Sequence, residues 1–358
     1  MKKLLSSLVA AVLISSALYI PNQSPASAAP ATTFSVHVDE QMLRLDTYPV
    51  IKNETPFLPL YMTREWAGVT LKWNQKNKVV TVLVDGKRYE IKNGSRNVVS
   101  GDTIIKLDSA AYIINGRVMI PTSLMERMMG AKVIWQEKYH NVLVNSKGKA
   151  PLAVAEGRSD VKLYGRDLKD GVYKGLELEI AGKRHRYNWE TPTGWKEVPE
   201  LIVSDLNQDG ESEVVVLLNQ GSGTGIHAQD IHVISMKDFK EIPIESQKET
   251  VKKWVSTELK KEGDMLHASI QLKGKGDDVI LQIPDLEFVE QSEMGFGAVV
   301  YHRVENNKLI VRLGGMVHFS MFIGDLEITY AFKEGRYVAD KLQFIPFDEY
   351  KPYVQKSN

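Results

Sequence analysis

The sequence predicts an α+β protein: a small antiparallel sheet with helices, followed by a second, mainly β domain with one clear helix. Three observations carry that reading. One stretch of the chain occurs twice, strand-like patterns fill the region beyond residue 153, and a single capping-box helix interrupts them.

In chain order, residues 1–28 read as a secretory signal. Lys2 and Lys3 form the positive start, residues 4–20 are mostly apolar, and Ala26-Ser27-Ala28 supplies small residues at a cleavage position. A membrane anchor is the alternative. Ser6, Ser7, Ser15 and Ser16 interrupt the apolar stretch and a Pro/Ser/Ala segment follows it, which favours cleavage. Residues 29–33 form a short leader. No later stretch is apolar enough to cross a bilayer, so the expected product is exported and makes no membrane contact after cleavage. The 358 residues include no cysteine, which excludes disulfides, thiolate metal sites and a cysteine nucleophile. Forty-five basic residues balance 45 acidic ones, and a net charge of zero argues against a nucleic-acid partner.

The first domain is read over 34–145, with copies of the repeat at 55–82 and 117–144. Pro59 matches Pro121, Gly68 matches Gly130 and Trp73 matches Trp135, each 62 residues on. Each Pro precedes a helical pattern, as suits Pro at a helix start. In the second copy Leu124, Met128 and Met129 form an apolar face, and Gly130 suits a left-handed helix end. The first copy predicts the same helix through Met62 and Trp66 to Gly68. Val133 and Trp135 then alternate on a strand, and a polar turn over 136–140 returns into Val142 and Val144. Leu71, Trp73 and residues 80–84 repeat that pattern in the first copy, and Asp85-Gly86 is a hairpin signal.

These residues resemble the copper amine oxidase N-terminal-like, or stalk, domain found in many secreted proteins of Gram-positive bacteria. Leu58-Pro59, Ile120-Pro121, Gly68-Val69, Gly130-Ala131, Asn115-Gly116-Arg117 and the two tryptophans carry the resemblance. It implies a small antiparallel sheet packed on helices, used as a surface or wall-associated module. It does not imply copper. The Asn-Tyr-Asp/Glu setting of the quinone cofactor and a His-x-His pair are both missing from the sequence, and His37 and His140 stand alone.

A polar, turn-rich segment places a linker at 146–152, and 153–358 read as one β-rich domain. Its helix begins at the capping box Ser246-Gln-Lys-Glu249, with Val251, Trp254, Val255 and Leu259 as the buried face. Strands are expected at 279–283, 298–304, 309–313 and 326–332, and Lys333-Glu-Gly-Arg336 as a hairpin turn.

The sharpest chemical motif is Asp205-Leu-Asn-Gln-Asp-Gly-Glu-Ser-Glu213. Calcium takes about 6–8 oxygen ligands gathered from a short loop. Asp205, Asn207 and Asp209 place donors at alternate positions, Gly210 permits the tight turn, and the Glu211 carbonyl and Glu213 carboxylate complete the set. Val216 stands where an EF-hand requires glutamate, and the flanks read as strands. The loop is similar to the calcium loops of FG-GAP/VCBS-type repeats, present here once. The role expected of the Ca2+ ion is structural, stapling a hairpin in a cysteine-free exported domain. The alternative is a polar turn in which Asp and Asn side chains cap backbone amides. Four carboxylates within nine residues would repel one another without a cation.

Other candidates have bland readings. The Gly221–Gly225 segment lacks a P-loop ending and reads as a surface loop. On an alternating strand His227 falls on the face opposite Asp230 and His232, so zinc finds too few ligands. The cluster Lys183-Arg-His-Arg186, with Tyr187 and Trp189, fits a solvated strand or a contact with an anionic wall polymer.

No spacing of residues singles out a catalytic constellation. The function expected is that of a non-catalytic exported protein, associated with the cell wall or binding at the surface, with a structural calcium site. Its partner would be a cell-wall polymer or a surface protein. The alternative is a secreted hydrolase acting on wall polysaccharide or peptide, with the stalk domain as its tether.

Overall fold

The computed structural model describes residues 33–194, 198–284, 290–318 and 321–355, so the signal read at 1–28 lies outside the described residues. The described chain is built from strands, and the α+β expectation is wrong. Only two α-helices occur among the described residues, Thr122–Met129 and Gln247–Trp254, eight residues each. Single 3-10 turns at Leu60–Thr63, Glu137–Tyr139 and Lys351–Tyr353 add little. Among the described residues the strands assemble into six sheets.

The missing helix of the first repeat has a local cause. Buried Thr63 donates its hydroxyl to the Leu60 carbonyl at 2.9 Å. The amides of Arg64 and Trp66 reach back only three residues, to Tyr61 and Thr63. Hydroxyl back-bonding and a β-branched side chain both disfavour a continuing α-helix. The Glu65 carbonyl is further taken by Lys162 Nζ at 3.2 Å. The second copy has flexible Leu124, Met125, Met128 and Met129 on its buried face, forms the α-helix, and ends at left-handed Gly130. In the helix at Gln247–Trp254 the capping Ser246 accepts from the Glu249 amide at 3.2 Å as expected. The predicted face is shorter than expected, however. Val255 is already extended, and Leu259 lies on the following strand Ser256–Glu262.

Three sheets enclose the first core. Ser35–Val38 pairs in parallel with Asn141–Asn145 and antiparallel with Gln41–Leu43, and Lys132–Gln136 closes the far edge. Thr55–Pro59 pairs antiparallel with Arg117–Pro121, so the two repeats meet. Five strands from Val69–Asn74 to Thr103–Lys106 form a meander. Val36, Leu58, Val82, Ile91, Ile120 and Met125 fill the interior. Phe34 packs its ring 4.5 Å from Trp135, whereas Trp73, the matching residue of the first copy, is 43% exposed at the rim.

From Leu152 onward the described residues form two further cores separated by one sheet. The strand Glu213–Gly223 lies between Glu200–Ser204 and Ile226–Ser235. Val214, Val216 and Leu218 enter one core with Leu163, Leu176 and Leu178; Val215 and Leu217 enter the other with Val311, Leu326 and Leu342. Alternate side chains of a strand point to opposite faces, so burial on both sides accounts for the unbroken run Val-Val-Val-Leu-Leu. The second of these cores is walled by the long antiparallel strands Gly295–Glu305, Lys308–His318, Met321–Lys333 and Arg336–Pro346, together with the three-stranded sheet that ends at Val279–Pro284.

The repeat domain touches its neighbour through specific bonds. Ser146 is fully buried and its amide donates to the Asp39 carboxylate at 2.7 Å. The Tyr173 hydroxyl donates to the Asp39 carbonyl at 2.9 Å, and Lys162 pairs with the Glu65 carboxylate at 3.1 Å.

Candidate functional site

The loop between Glu200–Ser204 and Glu213–Gly223 turns tightly, with Gln208 and Gly210 both at positive φ. Its polar side chains fold inward onto its own backbone. Asp205 accepts from the amides of Asp209 and Gly210 at 3.2 and 3.0 Å. Asn207 accepts from the Asp209 amide at 2.9 Å, and Asp209 accepts from the Glu211 amide at 2.8 Å. These are the Asx bonds that let Asp and Asn shape turns.

Glu213 is the exception in depth. The residue is only 3% exposed, and its carboxylate accepts from the Leu206 amide at 2.9 Å. The Asn207 side-chain amide donates both to Glu213 at 3.1 Å and to Asp209 at 3.0 Å, lying between two carboxylates. Burial pushes the Glu213 carboxyl above its ordinary range, and the charges of Asp209 and Asp205 push the same way. Buried Tyr337 lies in the field of the same three acids, and its hydroxyl has no hydrogen-bond partner of normal geometry. Glu211 points elsewhere, with its carboxylate 3.3 Å from Lys237.

Of the five residues singled out from sequence, the structure therefore joins Asp205, Asn207, Asp209 and Glu213 in one hydrogen-bonded set and sends the Glu211 side chain outward. Among the described residues no three His, Cys, Asp or Glu side chains converge as metal ligands. In the present arrangement the loop carboxylates are aimed at amides. Their chemistry, hard anionic oxygens on a tight turn, fits calcium, and binding would require them to turn from those amides to a shared ion.

The lesser candidates separate. His227 bonds the Val300 carbonyl at 2.8 Å and stacks on Tyr301, His232 pairs with Glu241 at 2.6 Å, and Asp230 accepts from Gln220 at 2.8 Å. They have three different sets of partners and form no common site. In the basic cluster Arg184 is held by Glu177 and Glu179, and Arg186 by Asp167. Trp189 is sandwiched between Tyr187, 3.9 Å away, and His232, 4.0 Å away, so neither ring face is free to stack on a sugar. Gly221 and Gly223 pair across a hairpin with Ala228 and Ile226.

Sequence reasoning missed Tyr337, which lies more than 120 residues from the loop and packs beside it only through the fold. It also missed the cavity between the repeat domain and the next unit, lined by residues far apart in the chain.

Residues 37–144 match the family model described as copper amine oxidase N-terminal domain. The match supports the resemblance carried by the two repeats and covers under a third of the chain. No curated protein matches the chain.

Proposed function

We propose that the protein is an exported, non-catalytic module of the cell surface whose β-rich region is stapled by a calcium ion. The observation that carries the calcium reading is Glu213, a buried carboxylate that forms no ion pair among the described residues and sits in the field of Asp205 and Asp209. A desolvated anion without a counter-charge is costly. Asp205, Asn207, Asp209 and Glu213 would hold the ion, with the Glu211 carbonyl as a further donor. Calcium would supply the missing positive charge and tie together the two ends of a hairpin that separates two cores. The surface role is supported by the copper amine oxidase N-terminal domain over 37–144 and by the signal pattern of residues 1–28. A cell-wall polymer or surface protein is the proposed partner.

Two measurements test this on the protein comprising residues 29–358. Its melting temperature should rise with calcium, and the rise should vanish in Asp205→Ala and in Asp209→Ala. No shift up to millimolar calcium (on the order of the weakest extracellular calcium modules) would remove the ion from the reading. The protein should also sediment with purified cell walls; its remaining in the supernatant, with and without calcium, would remove wall binding.

A further inference from the structure

A cavity of about 760 Å³ opens where the repeat domain meets the unit that follows it. Ligand pockets of small molecules typically span about 300–1,000 Å³, are mostly apolar with a few polar groups, and favour junctions between domains. This cavity fits on all three counts. Leu43, Leu45, Met62 and Trp66 line it from the repeat domain, and Leu152 and Val154 from the other side.

Its polar groups are unbalanced. Arg44 lies on the lip, exposed and without an ion pair among the described residues. Arg64, also on the lip, shares the single Glu65 carboxylate with Lys162, at 3.3 and 3.1 Å. The other lining acid, Asp39, is engaged by the amide and hydroxyl of Ser146. Two arginines thus stand at the mouth of an apolar hollow, and Arg44 is the one with no carboxylate partner among the described residues. Gln41 in the wall is 8% exposed and its amide nitrogen has no partner. Buried amides almost always find an acceptor. The last side-chain torsion of glutamine is soft, so a small rotation would present this donor to an oxygen in the cavity.

We propose that this cavity binds an amphipathic carboxylate, its apolar body against Leu43, Met62, Trp66 and Leu152 and its acid group at Arg44. The apolar wall requires a hydrophobic body, and the unpaired guanidinium, which grips carboxylates in a planar, two-pronged fashion, selects the acid. Fatty acids and short apolar peptides share this chemistry. The inference is independent of calcium and of wall binding, and its failure would leave both standing.

The test uses the protein of residues 29–358 with four probes: decanoate below its micelle threshold, decanol, acetate and N-acetyl-trileucine. Heat of binding is measured together with tryptophan emission, for which Trp66 is the local reporter. Decanoate or the tripeptide should bind saturably at one site, the tighter of the two identifying an acyl or a peptidyl source. Acetate should be silent and decanol at least tenfold weaker. Arg44→Gln, an exposed position that folding tolerates, should weaken the acid probes about tenfold and leave decanol unchanged. Trp66→Phe should lose the emission change, which locates the bound apolar body beside that ring. Absence of saturable binding by both acid probes would overturn the proposal. So would equal affinity for decanol, or binding that Arg44→Gln leaves intact.

Discussion

Leu58 and Ile120, the same position in the two repeats, lie directly opposite each other in the antiparallel pair that joins them. Their neighbours follow suit: Phe57 faces Pro121 and Met119 faces Pro59. An antiparallel pair in which a residue faces its own repeat equivalent has a local two-fold axis at that point. The repeat domain is therefore two half-units related by an approximate dyad, with Leu58 and Ile120 sharing the centre, both fully buried. The halves differ in what flanks the strand after the tryptophan. Asn141–Asn145 is joined in parallel by Ser35–Val38, whereas Val79–Val84 is joined antiparallel by its own hairpin partner Lys87–Lys92.

From this symmetry, Leu58→Ala and Ile120→Ala should destabilise the repeat domain by similar amounts, each about 2–5 kcal/mol as for other buried aliphatic truncations. Because the two side chains share one site, the double variant should depart from the sum of the singles by about 0.5 kcal/mol or more. Urea unfolding of the two single variants and the double variant measures both.

Acid should weaken the fold through His302. This ring is 8% exposed, and burial, with His227 nearby, lowers its pKa to about 4 from the ordinary 6.5. Its Nδ1 lies 3.0 Å from Gln229 Oε1, so in the neutral ring this nitrogen carries the proton and donates there. The unfolded chain binds the proton first, so stability is complete above pH 6.5 and falls as the pH drops toward about 4. The loss approaches about 3 kcal/mol at the low end. Melting followed across that window should show a steeper acid loss for the native protein than for His302→Gln.

The helix Gln247–Trp254 depends on its cap. Ser246→Ala should cost about 1 kcal/mol, whereas Ser246→Gly should cost only a few tenths. Denaturant midpoints of the two variants, compared at equal m-value, decide between loss of the hydroxyl bond and a general disturbance.

Gly276 admits no side chain. A β-carbon there would run into the backbone carbonyl of Leu342, which cannot swing aside because the Leu342 amide is bonded to Lys275 at 2.9 Å. Gly276→Ala should therefore cost about 1–3 kcal/mol. Gly274→Ala meets no atom, but its left-handed φ of 80° makes it a control for backbone strain alone. Thermal melts of the pair separate collision from strain.

How far these features could be read from sequence depended on how local their causes are. Gly130 ending its helix, Ser246 capping its own, and Glu334-Gly335 turning a hairpin at positive φ are fixed by residues within a few positions of one another. Each was legible. The turn at 205–213 was legible as a turn for the same reason, whereas the depth of Glu213 beneath Tyr337 was not. The helix of the first repeat was misread because Met62, Trp66 and Gly68 keep the helical spacing while Thr63 and the distant Lys162 remove the carbonyls that a helix needs. Parallel addition of Ser35–Val38 beside Asn141–Asn145 joins segments more than a hundred residues apart, and no local pattern announces it.

The strand Glu213–Gly223 has no outside between Val214 and Leu218. An ordinary surface strand offers every second position to drift, since water accepts almost any side chain. Here five consecutive positions answer to one interior or the other, and neighbours answer to different ones. A change at Val215 and a change at Val216 would thus be felt in separate places, although the residues are adjacent. This is the stretch of the chain where substitution should be least forgiven, and where a scan of single replacements should find no alternation between tolerant and intolerant sites.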